Sequence, residues 1–89
     1  MKTYKINEKT FTVENASALP SGFGHKILTV LLNAEDGDYT TFIATTSNMP
    51  AFDDAMDLEG QAKYEALYEI IAGKIEEKVS LWLNGEELS

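Results

Sequence analysis

The side chains that could do chemistry in this sequence are mainly carboxylates, and the densest group is Asp53, Asp54 and Asp57. Asn48 and Pro50, just before this group, are typical of a helix N-terminus, so we expect the aspartates on a short helix. Acidic side chains near that terminus are stabilised by the helix macrodipole. A structural metal site needs more ligands and a more enclosed position than this group offers. We therefore predict a helix-associated acidic cluster, with no metal site and no cofactor.

A glycine-containing segment, SGFGHK at residues 21–26, combines a serine with the only histidine of the chain. Its glycines lack the spacing of a phosphate-binding loop, and the segment leads into a predicted strand instead of a helix. Nucleophilic catalysis by Ser21 and His25 would also need an orienting acid and an oxyanion site, and the neighbouring sequence suggests neither. We predict no catalytic residues here and a protein that is not an enzyme.

The charge composition narrows the classes of partner. The 89-residue chain has 15 acidic residues and a net charge of −8, and its 7 basic residues are all lysines. Arginine, which makes most bidentate contacts with phosphate and guanine, is absent. Direct nucleic-acid binding is not expected, because neutralising phosphates supplies most of its affinity. Cysteine is also absent, which excludes disulfides, thiolate metal sites and a cysteine nucleophile.

The acidic residues are concentrated in the second half of the chain. Residues 1–33 contain four lysines and two acidic residues, whereas residues 34–89 contain three lysines and thirteen acidic residues. Residues 1–9 lack the apolar core of a signal peptide, and no apolar run approaches the length of a membrane span. These features predict a cytoplasmic protein, no membrane partner, and one compact domain over residues 1–89.

The first half of the chain has the alternating pattern of β-strands. We predict a hairpin with Tyr4, Ile6, Phe11 and Val13 on one face and a turn at 7–9, a loop over Ser17–Gly24, a strand over His25–Asn33, a turn over Ala34–Asp38 and a strand over Tyr39–Thr46. The run Ile27–Leu32 is apolar at both parities, which is typical of a strand with both faces covered. The pattern predicts a four-stranded, mainly antiparallel β-meander.

The second half changes to helical spacing. We predict a short helix over Pro50–Leu58 and a longer helix from Gly60 or Gln61 to Leu83, ended by Asn84 and Gly85. The apolar stripe of the long helix contains Tyr64, Leu67, Tyr68, Ile71, Ile75, Val79 and Trp82. We expect it to pack on Ile6, Val13, Leu28, Val30 and Ile43. This is an α+β fold with the amphipathic helix on one sheet face, although residues 79–83 could alternatively form a fifth strand.

The helical wheel also separates the charges of the long helix. Glu65, Glu69 and Glu76 lie on one flank of the apolar stripe, and the lysines lie on the other. Both flanks could simply be solvated, or the acidic flank could recognise a basic protein. For the second case, the predicted contact residues are Glu65, Glu69, Glu76, Asp53, Asp54, Asp57, Phe23 and Phe52. The two phenylalanines would supply aromatic anchors.

Two functions from different classes fit these features. The first is a small acidic binding module or inhibitor, of the kind that phages and mobile elements encode, which occupies a basic, nucleic-acid-binding surface of a larger protein. The second is a structural or assembly subunit that forms homo-oligomers, such as a homodimer, through its β-sheet. The apolar run Ile27–Leu32 and the threonine-rich strand Tyr39–Thr46 favour the second. A complex with a basic partner should be sensitive to salt, whereas a sheet-mediated homo-oligomer should not.

Overall fold

The computed structural model describes residues 1–86 and confirms the predicted α+β fold. Four antiparallel strands form one sheet in the order β1-β2-β3-β4, so each strand pairs with its neighbour in the sequence. Two helices follow and cover one face of the sheet. The elements are β1 (Thr3–Ile6), β2 (Lys9–Gly22), β3 (His25–Ala34), β4 (Tyr39–Thr46), α1 (Met49–Met56) and α2 (Gly60–Leu83).

Strand β2 is longer than the sequence predicts, and the loop expected over Ser17–Gly24 is wrong. The strand continues to Gly22, and Pro20 pairs with Lys26 of β3. Strand β1 covers β2 only as far as Thr12, so the remainder of β2 is an edge strand. A proline is tolerated there because its missing N–H would face solvent. Proline and glycine therefore mark an edge strand and its turn at this place.

The helices begin and end close to their predicted positions. The Asn48 side chain accepts a hydrogen bond from the backbone N–H of Ala51 at 3.3 Å, which caps α1. Helix α2 continues to Leu83, so the alternative of a fifth strand over residues 79–83 is wrong. Gly85, with φ of +78°, follows the helix end in a left-handed conformation that glycine adopts without strain.

One continuous core lies between the sheet and the helices, as the predicted helix stripe indicates. Its fully buried side chains come from β2, β3 and α2 and are Phe11, Val13, Leu28, Val30, Leu32, Leu67, Ile71, Ile75 and Val79. Leu83 is also buried, although the predicted stripe omits it. Trp82 is half-buried and meets Phe42 edge-on, with ring centroids 6.0 Å apart. The end of α2 therefore contributes two apolar side chains to the packing.

The placement of Ile43 in the core is wrong. Ile43 is 61% exposed, whereas its neighbour Phe42 is 4% exposed. Phe42 is paired with the buried Val30, and Ile43 is paired with Thr29 on the other side of the sheet. Because successive side chains of a strand point to opposite faces, only one of two adjacent apolar residues can reach the helices.

Candidate protein-binding surface

The aspartates predicted as contact residues lie on the helical side of the molecule. Asp53 and Asp54 are exposed in α1, and the exposed Asp57 is the residue at its C-terminal cap. Over residues 49–83 the helical layer carries eight acidic residues against three lysines. Helix α1 itself contains no lysine. The helical layer therefore combines a strong negative charge with few cations to offset it.

Two of the predicted glutamates hold the first strand in place. Glu69 Oε2 accepts hydrogen bonds from Lys2 Nζ at 2.8 Å and from the Tyr4 hydroxyl at 2.6 Å. Glu65 Oε2 accepts a hydrogen bond from the backbone N–H of Lys2 at 2.7 Å. The Lys2–Glu69 pair is the only salt bridge formed within residues 1–86. The sequence does not indicate these contacts, because they depend on how α2 crosses the beginning of the chain.

These contacts change the ionisation of the groups involved. Hydrogen bonds from Gln61 and from the Lys2 backbone lower the pKa of Glu65. Hydrogen bonds from the Lys2 ammonium and from the Tyr4 hydroxyl lower the pKa of Glu69. Burial, together with the neighbouring Glu69, raises the pKa of Tyr4, and burial raises the pKa of Tyr68 to about 12. At neutral pH both glutamates are therefore anionic and both tyrosines are neutral.

The contact between Glu69 and the first strand predicts a pH-dependent stability. The depressed pKa of Glu69 stabilises the fold above the unfolded value of about 4.3, and this contribution is lost as pH falls through the folded pKa. We expect Glu69→Gln to lower the free energy of unfolding by about 0.5 kcal/mol at pH 7, because both partners are half-exposed. Urea denaturation between pH 3 and pH 7 measures this loss.

Glu77→Gln is the matched control, because Glu77 is exposed on the same helix and its side chain makes no hydrogen bond to residues 1–86. The control should keep the pH dependence of the wild type, whereas Glu69→Gln should flatten it below pH 5. Equal pH profiles for wild type and Glu69→Gln would contradict a stabilising role for the pair.

A groove between the two helices brings one predicted residue from each of them together. Asp54 of α1 and Glu69 of α2 both line this open groove of about 570 Å³. The rest of its lining is mostly apolar and consists of Asn48, Ala51, Ala55, Leu58, Ala66 and Ile70. Glu76 lies seven residues beyond Glu69, about 10 Å further along α2, and does not line the groove. The lining of the groove thus combines apolar side chains with two carboxylates.

The two predicted aromatic anchors have different surroundings. Phe23 lies at the tip of the β2–β3 hairpin, where its backbone has a φ of +51°. Its side chain is fully exposed to solvent. The tip lies at the same end of the sheet as Thr46, which leads into α1. Phe52 is 8% exposed and packs in the core, with Lys26 Nζ 5.5 Å from its ring centroid. We therefore keep Phe23 in the contact surface and leave Phe52 out.

The other chemistry-bearing residues do not form a site. Within residues 1–86, no group of three or more His, Cys, Asp or Glu side chains is arranged to hold a metal ion. Ser21 is exposed near the end of β2, and His25 is exposed at the start of β3. In the described part of the chain, no hydrogen bond joins their side chains to each other or to an acid. The acidic helical layer remains the best-developed candidate surface.

Comparison of the chain with protein-family models, curated proteins and solved structures finds no significant match. Neither α1 nor α2, the helices of the described residues, has the length and apolar composition needed to cross a membrane.

Proposed function

We propose that this protein is a non-enzymatic, cytoplasmic binding module that inhibits a larger protein by covering a basic surface on it. The observation that carries the proposal is the excess of exposed carboxylates on the helical side. Asp53, Asp54 and Asp57 have no ion-pair partner within residues 1–86. A lysine- or arginine-rich surface would supply the missing cations, and proteins that bind nucleic acid present such surfaces.

The groove between α1 and α2 gives this contact a specific form. A lysine or arginine side chain has an aliphatic stem and a cationic end, and the two parts favour different surroundings. Leu58 and Ile70 in the groove offer an apolar surface for the stem, while Asp54 and Glu69 offer carboxylates for the cation. Lys2 Nζ already donates a hydrogen bond to Glu69 Oε2 at 2.8 Å, whereas Asp54 has no ion-pair partner within residues 1–86. We infer that a basic side chain of the partner enters the groove beside Asp54.

The charge of the helical layer also predicts how the complex forms. Opposite charges on two proteins increase the rate of encounter, and the effect weakens as salt screens the field. The screening length falls from about 10 Å at 0.1 M salt to about 3 Å at 1 M salt. Phe23, at the same end of the sheet as α1, supplies an apolar contact that salt does not weaken. The complex should therefore be weaker, but still specific, at high salt.

Replacing the two aspartates of α1 and the aspartate at its C-terminal cap by asparagine tests the proposal. Wild-type protein immobilised at 0.1 M NaCl should retain lysine- and arginine-rich proteins from a lysate of the native host and release most of them at 1 M NaCl. The triple variant Asp53→Asn, Asp54→Asn, Asp57→Asn should retain less than about a tenth as much, because three carboxylates contribute to the attraction. Quantitative mass spectrometry of the retained proteins measures the difference.

A second triple variant controls for total charge. Glu35→Gln, Asp38→Asn and Glu86→Gln remove the same charge from exposed positions outside the helices. The β3–β4 turn that carries Glu35 and Asp38 lies at the end of the sheet away from α1. The control should retain the same proteins as the wild type. Equal retention by the α1 triple variant and the wild type, or equal losses in both variants, would contradict a site on α1.

A further inference from the structure

The second face of the sheet is not covered by either helix. The register places the outward-facing side chains of β2, β3 and β4 in continuous rows across this face. Its apolar members are Leu19, Ile27, Leu31, Tyr39 and Ile43. The remaining outward-facing positions of these strands are almost entirely threonine, serine and asparagine. We call this surface the open face.

The open face is almost free of charge, although a quarter of all residues in the chain are charged. On the strands, only Lys5 at one corner and Glu14 at the β2 bulge add charged side chains to this side. Leu19, Tyr39 and Ile43 are 64%, 73% and 61% exposed. On this face apolar side chains lie among uncharged polar ones, with Ile43 paired with Thr29 and Leu31 with Thr41, and a surface depleted of charge is typical of the centre of a protein–protein interface.

We propose that two copies of this chain associate through their open faces to form a symmetric homodimer. The distribution of charge argues for a second copy as the occupant. Each chain carries a net charge of −8, so two copies repel each other wherever their carboxylates approach. The open face is the broad surface on which two copies meet without bringing acidic layers together, because the helical layers then point in opposite directions. A two-fold axis pairs each apolar patch with its own copy.

The size of the open face fits a dimer interface. Strands lie about 4.8 Å apart and rise about 3.4 Å per residue, so the four strands, of 4, 14, 10 and 8 residues, present a face of about 590 Å². Two copies would therefore bury about 1,200 Å² in total. Stable protein–protein interfaces bury about 1,200–2,000 Å². Two stacked sheets would then pack about 10 Å apart, as in a β-sandwich.

The free edge of β4 is a less suitable interface for the second copy. Residues Tyr39–Thr46 contain no charged residue or proline, the devices that usually protect an edge strand. However, Lys74 of α2 donates a hydrogen bond from Nζ to the carbonyl oxygen of Thr45 at 2.5 Å. The lysine thus occupies an edge carbonyl and places a positive charge where a second β4 would have to pair.

Analytical ultracentrifugation at about 10–500 µM, spanning micromolar dissociation constants, tests this proposal. The 9.9 kDa chain should sediment as a dimer at the upper concentrations. Raising NaCl from 0.1 to 1 M should leave the dimer intact or strengthen it, because salt screens the repulsion between like charges. This response is opposite to that of the basic-partner complex. A monomer at every concentration, or a dimer that dissociates in 1 M NaCl, would overturn the proposal.

The double variant Leu31→Thr, Ile43→Thr should weaken the dimer at least tenfold, because it removes apolar contacts yet keeps the residue type common on this face. The control double variant Met56→Gln, Leu58→Gln removes two exposed apolar side chains from the helical side and should dimerise as the wild type does. Equal dissociation constants for the wild type and the open-face variant would place the interface elsewhere.

A measurement on the wild type alone keeps the test independent of how well the variants fold. Dilution should shift the NMR amide signals of the open-face residues Thr29 and Thr41 and leave signals at the exposed surface of α2, such as that of Glu77, unchanged. Shifts confined to the helices would overturn an interface on the open face.

Discussion

Replacing Ile71 by alanine should lower the free energy of unfolding by about 2–5 kcal/mol, because the side chain is fully buried between α2 and the sheet. The loss combines the transfer of apolar surface to water with the cavity that remains. Domains are stable by only about 5–15 kcal/mol, so this is a large share of the total. Urea denaturation followed by the fluorescence of Trp82 and by circular dichroism measures it.

Ile70→Ala is the matched control for this prediction. Ile70 directly precedes Ile71 in α2 and is only half-buried, at the α1–α2 groove. Its truncation to alanine should therefore lower the free energy of unfolding by less than half as much as that of Ile71. Both substitutions have the same effect on helix propensity, which cancels in the comparison. A loss below about 1 kcal/mol for Ile71→Ala, or equal losses for both variants, would mean that a different side of α2 faces the sheet.

The long helix was predictable because its evidence is local. An apolar stripe of period 3.6 and the Asn84-Gly85 stop together define both the buried face and the end of α2. The continuous apolar run of β3 predicts a strand covered on both faces, but helices cover only one of them. The alternation signal cannot distinguish a face buried by helices from a face open to another molecule.

The course of β2 was not predictable from local signals alone. Pro20, Gly22 and Gly24 together favour a loop in any reading of single residues. Strand β2 nevertheless continues to Gly22, because β3 provides a pairing partner along its whole length and β1 leaves the other side free. The decisive information is therefore which neighbour each half of β2 has, and that follows only from the assembled sheet.

The sequence predicts only part of the candidate surface, because some of its contacts depend on how the elements pack together. The helical wheel places Glu69 on a flank of the apolar stripe of α2, and Glu69 is exposed in the structure. It does not show that Lys2 reaches Glu69, nor that Phe52 turns into the core. These contacts join residues distant in sequence, so they depend on the packing angle between α1, α2 and the sheet.

Replacing Phe42 by alanine should cost about 3–5 kcal/mol of stability, whereas replacing the adjacent Ile43 should cost less than about 1 kcal/mol. Phe42 packs against Val30 and the Trp82 ring, and its truncation would leave a cavity under α2. Ile43 exposes 61% of its surface on the open face. Both variants should be measured by urea denaturation at about 1 µM, where association contributes least to stability.

The order of these two losses decides which side of β4 faces the helices. A larger loss for Ile43→Ala than for Phe42→Ala would mean that the β4 register is shifted by one residue. Such a shift would turn Thr41 and Thr45 towards the helices and place Phe42 on the outside. The outward-facing apolar residues would then differ, and the interface proposed for two copies would no longer contain Ile43. At low concentration this pair of variants therefore tests the surface on which dimerisation depends, independently of the dimer itself.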